Sequence, residues 1–139
     1  MSNAYQEFNQ QIKDIFKLFK DLPSQRYKSK LHISEMQSKL VQGMNAEEKY
    51  AMTFLGPVVW AAREEIATEN EEFFLNRRYE MELQKLSKQH KFNYDNAVNT
   101  VAFMKDAYRQ ASSETKQEIF RNLKRLLTIY SKFALNTQN

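Results

Sequence analysis

The chain has 139 residues, 42% hydrophobic and 13% aromatic, with two Gly, two Pro, no Cys and a formal charge of +4. That length makes one domain with a core that needs no staples, and the aromatic content argues against wholesale disorder. The missing Cys excludes disulfides, thiolate metal sites and cysteine nucleophiles, and two glycines are too few for the tight turns of a sheet protein. The chain therefore reads as all-α.

The first predicted helix spans about 4–21. Tyr5, Phe8, Ile12, Ile15, Phe16 and Phe19 recur at three- and four-residue steps and share one face, with Lys13, Lys17 and Lys20 off its centre. Pro23 ends it, because proline disfavours helical geometry in the preceding residue. The opening "MSNAYQEFNQQ" lacks the basic start and apolar run of a signal peptide. No stretch approaches the ~20 apolar residues of a membrane span, so membrane insertion is not expected. "PSQRYKSK" reads as a basic loop carrying Arg26, Lys28 and Lys30.

A short helix over 34–43 is next, with Ser34 as N-cap, Met36, Leu40 and Val41 inward, and Gly43 as the C-terminal cap. Asn45 opens the third helix, helped by Glu47 and Glu48 at the positive end of its dipole. It carries Tyr50, Met52, Phe54 and Leu55. Gly56 closes it, and Pro57 suits the first turn of the helix after it.

Residues 57–90 hold two apolar stripes: Val59, Ala62, Ile66 and Phe73, then Leu75, Tyr79, Leu83 and Leu86. At 3.6 residues per turn these do not share a face. Either one helix of about 50 Å feeds two cores, or it breaks near 68–72, where Thr68 with Glu71 fits a capping box and Asn70 is an alternative cap. The fifth helix, 94–111, shows Tyr94, Ala97, Val101, Met104, Tyr108 and Ala111 in a short heptad-like seam. The sixth starts near Ser112–Ser113, with Thr115 and Glu118 as a possible capping box. Ile119, Phe120, Leu123, Leu126, Leu127, Tyr130, Phe133 and Ala134 then form a broad apolar face. Residues 1–3 and 135–139 are expected to fray. The sum is a single-domain helical bundle, 1–139, of about five or six helices.

Charge runs basic, acidic, basic along the chain: 7 Lys/Arg against 4 acids in 1–45, 6 against 9 in 46–90, and 8 against 4 in 91–139. The acidic peak is "REEIATENEEFF", with Glu64, Glu65, Glu69, Glu71 and Glu72. A carboxylate-bridged metal pair in a bundle needs Glu-x-x-His pairs. Ser29 and Ser87 stand where those glutamates would precede His32 and His90. No metal or cofactor is expected. On an unbroken helix Glu65, Glu69 and Glu72 share a face away from the apolar stripe; this is a solvated helix back or a docking surface.

There is no phosphate-binding glycine loop or Ser-His-Asp pattern, so neither an enzyme nor a small-molecule substrate is expected. His32 reads as a loop residue, His90 as a solvated helix end, and Trp60 as core. Phe103 lies off its helix's seam, which makes it a second buried side or a protein-binding candidate. Arg121, Lys124, Arg125 and Lys132 form a basic stripe opposite the last apolar face, echoed by Lys13, Lys17 and Lys20. The expectation is a soluble, intracellular, non-catalytic structural or adaptor protein. It would act through protein partners or itself, with Glu65, Glu69, Glu72 and Phe103 as protein-binding candidates. The alternative is nucleic-acid binding through the basic stripes.

Overall fold

A computed structural model describes residues 3–22, 27–90 and 93–137. Among them lie eight helices and no strand: α1 (Ala4–Lys20), α2 (Tyr27–Ala46), α3 (Tyr50–Ala61), α4 (Arg63–Ala67), α5 (Glu71–Asn76), α6 (Glu80–His90), α7 (Tyr94–Gln110) and α8 (Ser113–Thr137). The all-α, single-domain bundle stands. The expected five or six helices are too few, because 57–90 is cut more often than its pattern suggests.

α1 is the central helix, packed against α8, α2, α3 and α7. Its N-cap is Asn3, whose side-chain oxygen accepts from the Gln6 N–H at 2.8 Å, satisfying one of the orphan donors of the first turn. Phe8, Ile12, Ile15, Phe16 and Phe19 are buried along it, as their spacing requires. Two polar residues are buried among them. Gln11 donates to the Asn122 carbonyl oxygen of α8, and Asn9 donates to the Glu48 backbone carbonyl at 3.1 Å. α1 is thus tied to its neighbours by amide hydrogen bonds as well as apolar contact.

α2 is twice the expected length. Lys30 is helical, not in a loop, and Gly43 caps nothing. Ile33, Met36, Leu40 and Met44 continue one buried stripe through it. A Cβ on Gly43 would lie 2.5 Å from the Tyr50 ring, so glycine serves close packing there. Asn45 likewise falls inside α2 and opens no helix. Pro23 and Arg26 lie outside the described residues, as do the side chains of Lys28 and His90.

α3 runs through Gly56 and Pro57, which therefore do not punctuate it. A Cβ on Gly56 would overlap the Tyr130 ring of α8. Pro57 lacks an N–H for the Thr53 carbonyl, but both residues are exposed, where solvent can serve instead.

The region 57–90 is broken, not one long helix. The chain turns at Ala62, again at 68–70 and again at 77–79. The second break ends α4 in a Schellman motif. Asn70 N–H donates to the Glu65 carbonyl at 2.9 Å and Glu69 N–H to the Ile66 carbonyl at 3.2 Å. Glu69 sits at the left-handed position with φ 53°, where glycine is usual. Asn70, not Thr68, caps α5, accepting from the Phe73 N–H at 3.2 Å. The third break turns on Tyr79, also left-handed at φ 61°.

α7 is capped by Asn93 and buries Ala97, Thr100, Ala107 and Tyr108. In α8 the deepest residues are Ile119, Phe120, Asn122 and Leu126, while Leu123, Leu127 and Tyr130 are half-buried on the flank. The axis of the broad apolar face thus lies at Leu126, with Leu127 on its flank. Ser112, not Thr115, supplies the capping oxygen, accepting from the Thr115 N–H at 3.2 Å.

Candidate functional site

The break at 68–70 decides the fate of the glutamate cluster. With Glu69 in a left-handed turn between two helices, Glu65, Glu69 and Glu72 cannot share one helix face. Glu65 is half-buried on α4 and Glu72 is exposed in the first turn of α5. Glu71 accepts from the Tyr108 hydroxyl at 2.7 Å. Glu69 forms an ion pair with Lys124 of α8 at 3.0 Å. Part of the acidic segment and part of the basic stripe therefore meet within one chain. Among the described residues no group of three or more His, Cys, Asp or Glu is placed to hold a metal.

The basic stripe is partly engaged as well. Arg121 pairs with Glu118 one turn before it, while Arg125 and Lys132 are exposed. Arg121, Lys124 and Arg125 line one wall of an open groove between α1 and α8, faced by Gln6, Glu7 and Gln10. Lys20, expected to extend this basic surface, turns to the Gln37 side chain at 2.9 Å.

Two aromatic residues exchange roles. Trp60, expected in the core, is 44% exposed. Pro57 and Ala61 are exposed with it on the same side of α3. The Arg63 guanidinium lies 4.6 Å from the centre of the indole and donates to the Trp60 carbonyl at 3.0 Å. This is a cation–π contact between two exposed side chains, with the guanidinium also tied to the backbone. Phe103 is half-buried, its ring 5.2 Å from that of His32. His32 is a residue of α2, not of a loop, and its Nδ1 is buried without a hydrogen-bond partner among the described residues. Phe103 is the second buried side of α7 in this arrangement.

A cavity of about 340 Å³ lies between α1, α2, α3, α5, α6, α7 and α8, with almost wholly apolar walls. Protein interiors seldom keep a void larger than a water. The polar residues of its lining are Glu71 and Tyr108, hydrogen-bonded to each other, and Tyr79, Glu82 and Lys105. Burial would raise the Glu82 carboxyl, but the Arg77 guanidinium, 2.6 Å away, holds it below its ordinary value. Burial pushes the Tyr79 hydroxyl up to about 12, against the pull of Arg77. It raises Tyr108 as well, reinforced by its bond to Glu71. Burial lowers Lys105, and the charge of Arg109 adds to the effect. The ammonium donates to the Arg77 carbonyl at 2.5 Å and lies 5.5 Å from the Tyr79 ring centre.

Reading the sequence for motifs misses this rim. One signal is present: Lys105 falls three or four residues from Val101 and Tyr108, on the apolar side of its helix, where a lysine is out of place. The turn at 69 is signalled only by Asn70 beside it, and the turn at 79 carries no signal, because Tyr is not a left-handed former. No protein-family profile, curated protein or solved structure matches this chain.

Proposed function

We propose that the protein is a non-catalytic helical protein that works by association, and that its own copies are its first partners. The observation that carries this is Trp60. Tryptophan and arginine are the residues most enriched where binding energy concentrates. Here the two are stacked on each other, exposed, and flanked by Pro57 and Ala61. A pre-ordered aromatic anchor loses little freedom on binding. This places the apolar contact at Trp60 and not at Phe103, and it does not use Glu65, Glu69 and Glu72 as one acidic face. Lys124 already holds Glu69. Glu72, Arg125 and Lys132 remain exposed, and we assign them to steering the encounter, since exposed ion pairs contribute only ~0–1 kcal/mol. A soluble protein inside the cell fits the cysteine-free composition. The test is sedimentation equilibrium. Wild type is expected to associate and Trp60→Ala to shift toward monomer with unchanged circular dichroism. A wild type that stays monomeric at high concentration ends the self-association reading.

The second reading, nucleic-acid binding, draws support from the three cations along the α1–α8 groove. If it holds, retention of DNA or RNA falls steeply with salt through counterion release. Failure to retard either one at low salt ends it.

A further inference from the structure

We propose that the cavity is a binding site for a single-chain amphiphile with an anionic head, the alkyl chain lying among the core helices and the head meeting Lys105. The inference stands apart from self-association and adds a small-molecule ligand where the sequence leads to none being expected as a substrate. Three observations carry it.

The volume comes first. About 340 Å³ falls within the range of ligand pockets. An apolar cavity of ~150 Å³ accommodates benzene and stays dry, which implies ~25 Å³ per carbon and room for a chain of roughly twelve to fourteen carbons here. The walls offer such a chain Phe16, Met36, Leu40, Leu83 and Met104, and water very little to bond to.

The second observation is charge. Both rim carboxylates already have partners: Glu82 has Arg77, and Glu71 has the Tyr108 hydroxyl. Lys105 is half-buried, and among the described residues no carboxylate pairs with it. Its contacts are a backbone carbonyl and the face of Tyr79. A cation partly withdrawn from water loses some of its hydration, and an incoming carboxylate or phosphate offsets that loss. A neutral or cationic head does not.

The third is access. α5 buries no residue of its own, and two left-handed residues, Glu69 and Tyr79, bracket it. Hydrogen bonds from the Tyr108 hydroxyl to Glu71 and from the Tyr79 hydroxyl to the Phe74 carbonyl hold it down. Of the helices around the cavity it is the one with no buried residue of its own, and lifting it would part the Phe74 ring from that of Phe120.

The experiment is titration calorimetry of the full chain with dodecanoate, dodecyl phosphate, dodecanol and dodecyltrimethylammonium, each below its micelle concentration. At least one anionic probe is expected to saturate at one per chain. Comparing the two anions identifies the preferred head. Lys105→Met is expected to weaken that anion about tenfold, the usual scale for a lost charged hydrogen bond, and to leave dodecanol unchanged. Val101→Trp is expected to abolish binding by filling the cavity while melting stays cooperative. Leu123→Phe replaces it if that variant does not fold. Lack of saturation by either anion overturns the proposal. So does a folded cavity-filling variant that binds like wild type, or a Lys105→Met that binds anions as tightly as wild type.

Discussion

Lys124 and Glu69, 55 positions apart in the chain, form an ion pair at 3.0 Å that joins the basic last helix to the acidic segment. The pair is exposed and weak by itself. Its interest lies in where Glu69 sits, at the left-handed position of a helix-ending motif.

Two effects therefore compete at that position. A non-glycine residue in the left-handed region costs ~1–2 kcal/mol, and an exposed ion pair returns ~0–1. Glu69→Gly is expected to stabilise the fold by roughly 0.5–1 kcal/mol in urea unfolding, despite losing the Lys124 contact. Lys124→Ala is expected to change it by less than ~0.5 kcal/mol. A clear loss of stability in Glu69→Gly would show that the ion pair, not the backbone, governs this turn.

Gly56 offers a second contest of signs. In an open helix interior, replacing glycine by alanine stabilises by about 1 kcal/mol. Here the added methyl overlaps the Tyr130 ring, and overpacking costs ~1–3 kcal/mol. Gly56→Ala is expected to destabilise, and adding Tyr130→Leu to recover much of the loss in a double-mutant cycle. Additive effects would mean that α3 and α8 do not meet at this point.

In α8, Leu126 is 2% exposed and Leu127 half-buried. Leu126→Ala is expected to cost ~2–5 kcal/mol, transfer and cavity terms together. Leu127→Ala should cost distinctly less. Equal losses in urea unfolding would mean that the two leucines are equally deep and contradict this packing.

Burial pushes the Tyr50 and Tyr79 hydroxyls from 10.0 to about 12. In both, the folded value lies above the unfolded one. Their contribution is therefore fully present below 10.0 and lost as pH rises through about 12. The urea midpoint is expected to fall across that window, with tyrosinate absorbance appearing as the chain unfolds. Tyr79→Phe should flatten the decline. A midpoint that stays level over the window contradicts the burial of these rings.

The helices with unbroken periodicity are legible from the residues. α1, α7 and α8 each repeat their apolar spacing over several turns, and their buried faces follow it to within one residue. The errors share a cause. Gly43, Gly56 and Pro57 look like punctuation in the sequence, yet the first two make room for Tyr50 and Tyr130, and the proline rides on an exposed face. Of the real breaks, the one at 68–70 is announced by Asn70, which caps α5, while those at Ala62 and Tyr79 fall on residues whose types do not announce a turn. The same breaks scatter the glutamates that an unbroken helix would align. Trp60 is misplaced by its spacing, which says which residues share a face but not which face the neighbours cover.

Trp60 is the only tryptophan in the chain, so its fluorescence reports one surface. Acrylamide quenching of wild type, measured from low to high protein concentration, tests association through this face. Shielding should grow, with emission moving to shorter wavelength, as copies cover the indole and Arg63. Quenching and emission that stay the same at every concentration, while sedimentation shows assembly, would put the contact elsewhere and remove Trp60 from it.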